Sequence, residues 1–147
     1  MQKKKEHYQV LLIEDNPGDI RLTLEAFNEI APSTTVNTVQ DGVEALEYLR
    51  KIGGHQHAVT PDVILLDLNL PKRDGRELLK IIKSDIILRF IPVIVLTTSA
   101  AEQDILNAYE LHANCFISKP LDVDTFFKLI QRVKDFWLDT VKLPSHV

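Results

Sequence analysis

The chain has 147 residues, enough for one domain with a real core and too few for two typical ones. Apolar residues make up 45% of it and charged residues 26%, as in soluble globular proteins, while the net charge of −4 argues against nucleic-acid binding as its main business. Its longest apolar runs have about four to six residues against the roughly 20 of a spanning helix, and the start lacks the apolar stretch of a secretory signal.

Three small features are bland. The Lys3-Lys4-Lys5 run reads as a solvated tail rather than a nucleic-acid or lipid anchor. The single cysteine, Cys115, forms no internal disulfide; it fits a reducing cytosol, and so a cytoplasmic protein, and reads as an inert core thiol. His7, His55, His57, His112 and His146 are scattered, with no Cys or carboxylate cluster beside them, and read as loop residues.

In chain order, five apolar segments alternate with helical patterns. The first strand is expected at Tyr8–Ile13. Asn16-Pro17 then offers an N-cap and a first-turn proline, and Ile20, Leu24, Phe27 and Ala31 follow at helical spacing. A second strand is expected at Val36–Val39, and Asp41 with Glu44 resembles a capping box opening a helix with Leu46 and Leu49. The stretch from Gly53 to His57 reads as a loop. Val63–Leu66 and Ile91–Leu96 are continuous apolar runs, the pattern of central parallel strands covered on both faces. Leu78, Leu79 and Ile82 stripe the helix between them, and Ser99-Ala100-Ala101-Glu102 predicts a capping box for the fourth helix. Cys115–Ile117 is the last strand. The last helix starts near Asp122 with Val123, Phe126, Phe127, Ile130, Val133 and Trp137 on one face. No repeat, low-complexity tract or interdomain linker stands out. Five β-α units joined by crossover helices predict an α/β, doubly wound parallel sheet.

In such sheets ligands bind beyond the carboxyl ends of the strands. Those ends carry Glu14-Asp15, Asp67, Thr97-Thr98 and Ser118-Lys119-Pro120. Three close carboxylates repel one another and call for a cation. Hard oxygen donors without His or Cys favour Mg²⁺. A carboxylate beside a metal, an ammonium and a hydroxyl suits phosphoryl transfer, in which positive charge neutralises the equatorial oxygens while the carboxylate attacks in line.

Glu14-Asp15, the run from Asp62 to Asp67 with Leu68-Asn69-Leu70-Pro71, Asp74-Gly75, Thr97 and Lys119-Pro120 together resemble the receiver domains of two-component response regulators, from about Tyr8 to Trp137. The resemblance implies a flavodoxin-like (βα)5 fold with strand order 2-1-3-4-5. It divides the chain into a tail (1–7), a receiver domain (8–138) and a C-terminal extension (139–147). It makes Asp67 the phospho-acceptor, on a protein that catalyses only its own phosphoryl transfer and dephosphorylation. Asp15 is a direct Mg²⁺ ligand, Glu14 binds directly or through water, and Asn69 offers its main-chain carbonyl. Lys119 pairs with the phosphoryl group, and its bond to Pro120 is expected to be cis. Thr97 is the switch hydroxyl that turns inward on phosphorylation, Phe116 is its aromatic partner, and Pro71 and Gly75 shape the loop after Asp67.

Two positions depart from the family pattern. Glu14 stands where many members have Asp, which lengthens the reach to the metal. Thr98 stands where a smaller residue is usual and is expected to narrow access to Asp67. The segment from Asp135 to Pro144 is similar to the C-terminal extension of small regulators paired with bacterial and cyanobacterial phytochromes, which implies a phytochrome-type histidine kinase as phosphodonor. Leu129 and Phe136, with Tyr109 or Leu111, are expected to form an apolar patch for a homodimer through helix four, strand five and helix five; the alternative is that the tail segment Val141–Leu143 covers them. With no output domain expected after Trp137, the signal would pass through protein–protein contacts, without nucleic acid or membrane. Two alternatives stay open: a Mg²⁺-dependent phosphohydrolase, which would want an acid where Asn69 stands, and an unphosphorylated scaffold. A flavin site is disfavoured, because Glu14-Asp15-Asn16-Pro17 would repel a phosphate.

Overall fold

A computed structural model describes residues 7–72, 74–99 and 101–144. The Lys3-Lys4-Lys5 run, Ala100 and His146 lie outside them, as do most of the expected tail and the end of the extension. Five parallel strands, β1 (Tyr8–Ile13), β2 (Thr34–Val39), β3 (Val63–Leu66), β4 (Val93–Thr97) and β5 (Cys115–Ser118), form one sheet in the order β2-β1-β3-β4-β5. The helices between and after them are α1 (Pro17–Ile30), α2 (Gly42–Arg50), α3 (Gly75–Ser84), α4 (Glu102–Glu110) and α5 (Val123–Val133). The doubly wound α/β fold is thus as expected.

The core is split by the pleat. Leu11, Ile13, Ile64, Leu66, Val93 and Val95 face α2, α3 and α4, while Val10, Leu12, Val63, Leu65, Ile94 and Leu96 face α1 and α5. Successive side chains point to opposite faces, so a strand covered on both sides must be apolar at every position. This is why β3 and β4 read as unbroken apolar runs.

Local signals set the helix starts. The Asn16 side chain accepts the Asp19 N–H with Pro17 in the first turn, and Asp41 and Asp122 accept the N–H groups of Glu44 and Thr125. The expected capping box of the fourth helix is not formed. Ala101 is the N-cap without a side-chain bond, and the Ser99 hydroxyl donates instead to the Asp104 carboxylate at 2.5 Å. The charged carboxylate, itself held by Arg76, is a strong acceptor that fixes this hydroxyl on Asp104. Val123, expected on the core face of α5, is exposed. After Val133 the chain continues as a π-helical segment, Lys134–Thr140, which buries Leu138 and packs Trp137 against the α1/α5 side of the core, where Leu143 beyond the segment also packs. No helix among the described residues is long and apolar enough to cross a membrane.

Candidate functional site

At the carboxyl end of the sheet the ladder continues one residue past β1, β3 and β5, beside the last residue of β4, Thr97. Glu14 N–H donates to Val39 O at 3.0 Å, Asp67 N–H to Ile13 O at 3.0 Å, and Lys119 N–H to Thr97 O at 2.8 Å. Strand pairing therefore places three of the expected site residues, Glu14, Asp67 and Lys119.

Asp67 is 7% exposed and its two oxygens are fully engaged. Oδ1 accepts the Thr97 hydroxyl at 2.9 Å and the Asn69 N–H at 3.0 Å; Oδ2 accepts Lys119 Nζ at 3.0 Å. Lys119 Nζ also donates to Glu14 Oε2 at 2.5 Å and to Asp19 Oδ2 at 2.9 Å. Carboxylate oxygens of Glu14, Asp15 and Asp67 lie within 4.8 Å of one another, with Glu14 buried and Asp15 more accessible. All oxygen, no sulfur or imidazole, and an open side at Asp15: this donor set fits a hard divalent cation that keeps part of its water.

The electrostatics say the same. Burial pushes the Glu14 carboxyl up to about 7, with the neighbouring Asp67 adding to the rise and Lys119 opposing it. Burial alone would also raise Asp67, but the Asn69 N–H, the bond with Glu14 and the Lys119 ammonium outweigh it and hold Asp67 below the usual carboxyl range. Burial likewise disfavours the Lys119 charge, yet Glu14, Asp19 and Asp67 raise that group above an ordinary lysine. Burial, with the neighbouring acid adding to it, thus leaves Glu14 short of compensating charge, a deficit that a divalent cation would remove.

The loop after Asp67 is shaped by Gly75. A Cβ there would sit 2.5 Å from both Asp67 O and Leu68 Cα, while the Gly75 N–H bonds Leu68 O at 3.0 Å. Only glycine lets α3 start this close to the Asp67 backbone. Thr97 is fully buried and its hydroxyl is already turned inward onto Asp67, without the phosphorylation expected to draw it there; a buried hydroxyl needs a partner, and the carboxylate supplies one. Phe116 is half-buried against the α2/α3/α4 side of the core, and its N–H donates to the Tyr109 hydroxyl at 3.2 Å. Asn69 and Thr98 are exposed at the rim.

Two expectations need correction. The Lys119–Pro120 bond is trans; this is the lower-energy form, and Lys119 reaches all three carboxylates from it. Of the apolar patch, Leu129 and Leu111 pack inward, whereas Tyr109 and Phe136 are exposed, with Leu106 beside Tyr109 on α4. Leu143 joins the same core cluster as Leu129, so the tail is part of the packing there.

Sequence reasoning missed Asp19 and the pair Arg76–Asp104. Asp19 looks like an ordinary first-turn acid. Arg76 forks onto Asp104 Oδ1 through Nε at 3.1 Å and Nη2 at 2.8 Å, while Asp104 Oδ2 holds Ser99, tying α3 and α4 across the loop after Thr97. Cys115 is half-buried, and burial pushes its thiol up, as expected of an unreactive cysteine.

Known proteins share this arrangement. Residues 10–131 match the response regulator receiver domain. The chain is 43% identical over 136 residues to the response regulator Rcp1 of Synechocystis sp., covering 92% of each chain. It superimposes on the phosphorylated cyanobacterial phytochrome response regulator RcpA with a TM-score of 0.91 and 50% identity, over 95% of this chain and 99% of that one. For the Mn²⁺-bound form of Rcp1 the TM-score is 0.89 and the identity 42%, over 94% and 99% of the two chains. With a sheet that aims Asp67, Lys119 and Thr97 at one point and relatives alike along nearly their whole length, the chain belongs to the response regulator receiver family and is related to phytochrome response regulators.

Proposed function

We propose that this receiver is a phospho-acceptor switch in a two-component relay, taking a phosphoryl group on Asp67 from a phosphohistidine of a phytochrome-type histidine kinase. The observation that carries the reading is the Asp67 carboxylate held between the Thr97 hydroxyl and the Lys119 ammonium. In the transfer a bond forms between phosphorus and an Asp67 oxygen as the bond to the donor imidazole nitrogen breaks. Its low proton affinity keeps Asp67 ionised and ready to attack. Thr97 and Lys119 then pass their hydrogen bonds from the carboxylate to phosphoryl oxygens, stabilising charge where it develops.

Glu14, Asp15 and Asp67, with the Asn69 main-chain carbonyl, would hold a Mg²⁺. A bound Mg²⁺ would supply neutralising charge for the phosphoryl oxygens. Support for a divalent ion comes from the oxygen-only donor set and from the Mn²⁺-bound form of the relative Rcp1.

As the Thr97 hydroxyl, already inward on Asp67, shifts to the phosphoryl group, Phe116 re-packs the face of α4, β5 and α5, and output passes through protein contacts, including a homodimer on that face. Leu106, Tyr109 and Phe136 supply exposed apolar surface for it. The test is transfer of radiolabelled phosphate from an autophosphorylated phytochrome-type histidine kinase. Rapid loss of label from the kinase with its appearance on wild type and not on Asp67→Asn is expected. Label that stays on the kinase, under conditions where acetyl phosphate labels the regulator, would reject the phytochrome-type donor. Light scattering with BeF₃⁻ at tens of micromolar should show a dimer; a strict monomer would reject the homodimer.

A further inference from the structure

The ammonium of Lys119 has three hydrogens and three carboxylate partners: Glu14 at 2.5 Å, Asp19 at 2.9 Å and Asp67 at 3.0 Å. The Lys119 side chain is 7% exposed, so few waters are at hand to replace a lost partner. Two of the three partners change their role during the proposed reaction. Asp67 commits one carboxylate oxygen to the phosphoryl bond, and Glu14 would be shared with a bound cation. Asp19 alone takes part in neither exchange.

Its own position is over-determined. The Asp19 N–H donates to the Asn16 side chain at 3.0 Å, and its carbonyl accepts the Thr23 hydroxyl at 2.7 Å, with Thr23 buried. It lies in the first turn of the 14-residue helix α1, where the helix dipole favours a carboxylate. It is also the most accessible of the three carboxylates, its side chain 32% exposed against 3% for Glu14 and 8% for Asp67.

We propose that Asp19 is a positioning residue for the phosphoryl-transfer step, the fixed anchor that keeps the Lys119 ammonium over Asp67 while its bonds to Glu14 and Asp67 are exchanged. Asp19 acts through Lys119 and touches neither the reacting carboxylate nor the phosphoryl group. This inference rests on the phospho-acceptor reading above. Without Asp19, a four-carbon side chain with one hydrogen unpaired samples other rotamers, and the fraction of time it faces the phosphoryl oxygens falls.

Two measurements test it. The first is the rate of acetyl-phosphate labelling in saturating Mg²⁺ for wild type, Asp19→Asn, Lys119→Met and the double variant. The single change at Asp19 is expected to slow labelling on the order of tenfold, the scale of one lost charge-assisted hydrogen bond, and to have no further effect once Lys119 is gone. Asp19→Glu is expected to recover part of the rate. The second uses no phosphodonor: ¹H–¹⁵N spectra of lysine ammonium groups, in which Lys119, assigned by its loss in Lys119→Met, is expected to give a slowly exchanging signal. Asp19→Asn should broaden that signal with the rest of the lysine spectrum unchanged. A wild-type rate in Asp19→Asn, equal slowing in the Lys119→Met background, or an unaltered ammonium signal would each overturn the proposal. Failure of wild type to label at all would instead strike the phospho-acceptor reading, and the ammonium signal would still decide whether Asp19 anchors Lys119.

Discussion

Neutralising Glu14 separates the electrostatics of this site from its chemistry. In the metal-free protein burial raises the Glu14 carboxyl from the ordinary 4.5 to about 7. The native state therefore holds a proton that the unfolded chain releases in this interval. That contribution to stability is fully present below pH 4.5 and is lost as pH rises through about 7. At about 1.4 kcal/mol per pH unit, the loss between about pH 5 and 7.5 comes to on the order of 2 kcal/mol. Asp67, held below the usual range, titrates beneath this window, and Lys83, which burial pushes down to about 8, titrates above it. Urea unfolding followed by Trp137 fluorescence, with chelator present, should show wild type losing stability across the window while Glu14→Gln stays nearly flat. Saturating Mg²⁺ should reverse the wild-type trend, because metal binding takes the ionised carboxylate and stabilises the native state by mass action. The same downward slope in Glu14→Gln and wild type would refute the reasoning.

Other consequences are more local. Gly75→Ala places a Cβ against the backbone of Asp67 and Leu68; it should cost about 1–3 kcal/mol in urea unfolding and slow acetyl-phosphate labelling, whereas wild-type stability would mean that the contact relaxes freely. Arg76→Ala removes the fork onto Asp104 and should speed amide exchange in α4, of which Ala108 is the only buried residue among those described, with α1 unchanged; equal exchange in α4 would show that the tie is idle. Thr98→Ala should speed labelling if the exposed rim side chain narrows access to Asp67, and a rate no faster than wild type would dismiss that idea.

What the sequence made legible follows from which forces leave a pattern. Burial on both faces writes itself as unbroken apolar runs, so Val63–Leu66 and most of Val93–Thr97 could be read directly, and the strand-end residues after them followed. Strand β2 was placed two residues short, because Thr34 and Thr35 sit half-exposed at the sheet edge with no apolar signature. The Asn16 and Asp41 caps are readable from local spacing, and the start of the last helix near Asp122 from where the apolar stripe begins; the Ser99 capping box fails because its hydroxyl goes to Asp104, which Arg76 holds from a different helix. Asp19 stayed hidden for the same reason, since its bond to Lys119 spans 100 residues of chain. Long-range charge pairing has no period, and only the fold reveals it.

The central claim is tested most directly by intact-protein mass spectrometry after acetyl phosphate and Mg²⁺. One labile phosphoryl adduct per chain is expected on wild type and none on Asp67→Asn. An adduct that survives in Asp67→Asn, or steady multiple turnover of small phosphate esters without an adduct, would contradict the account.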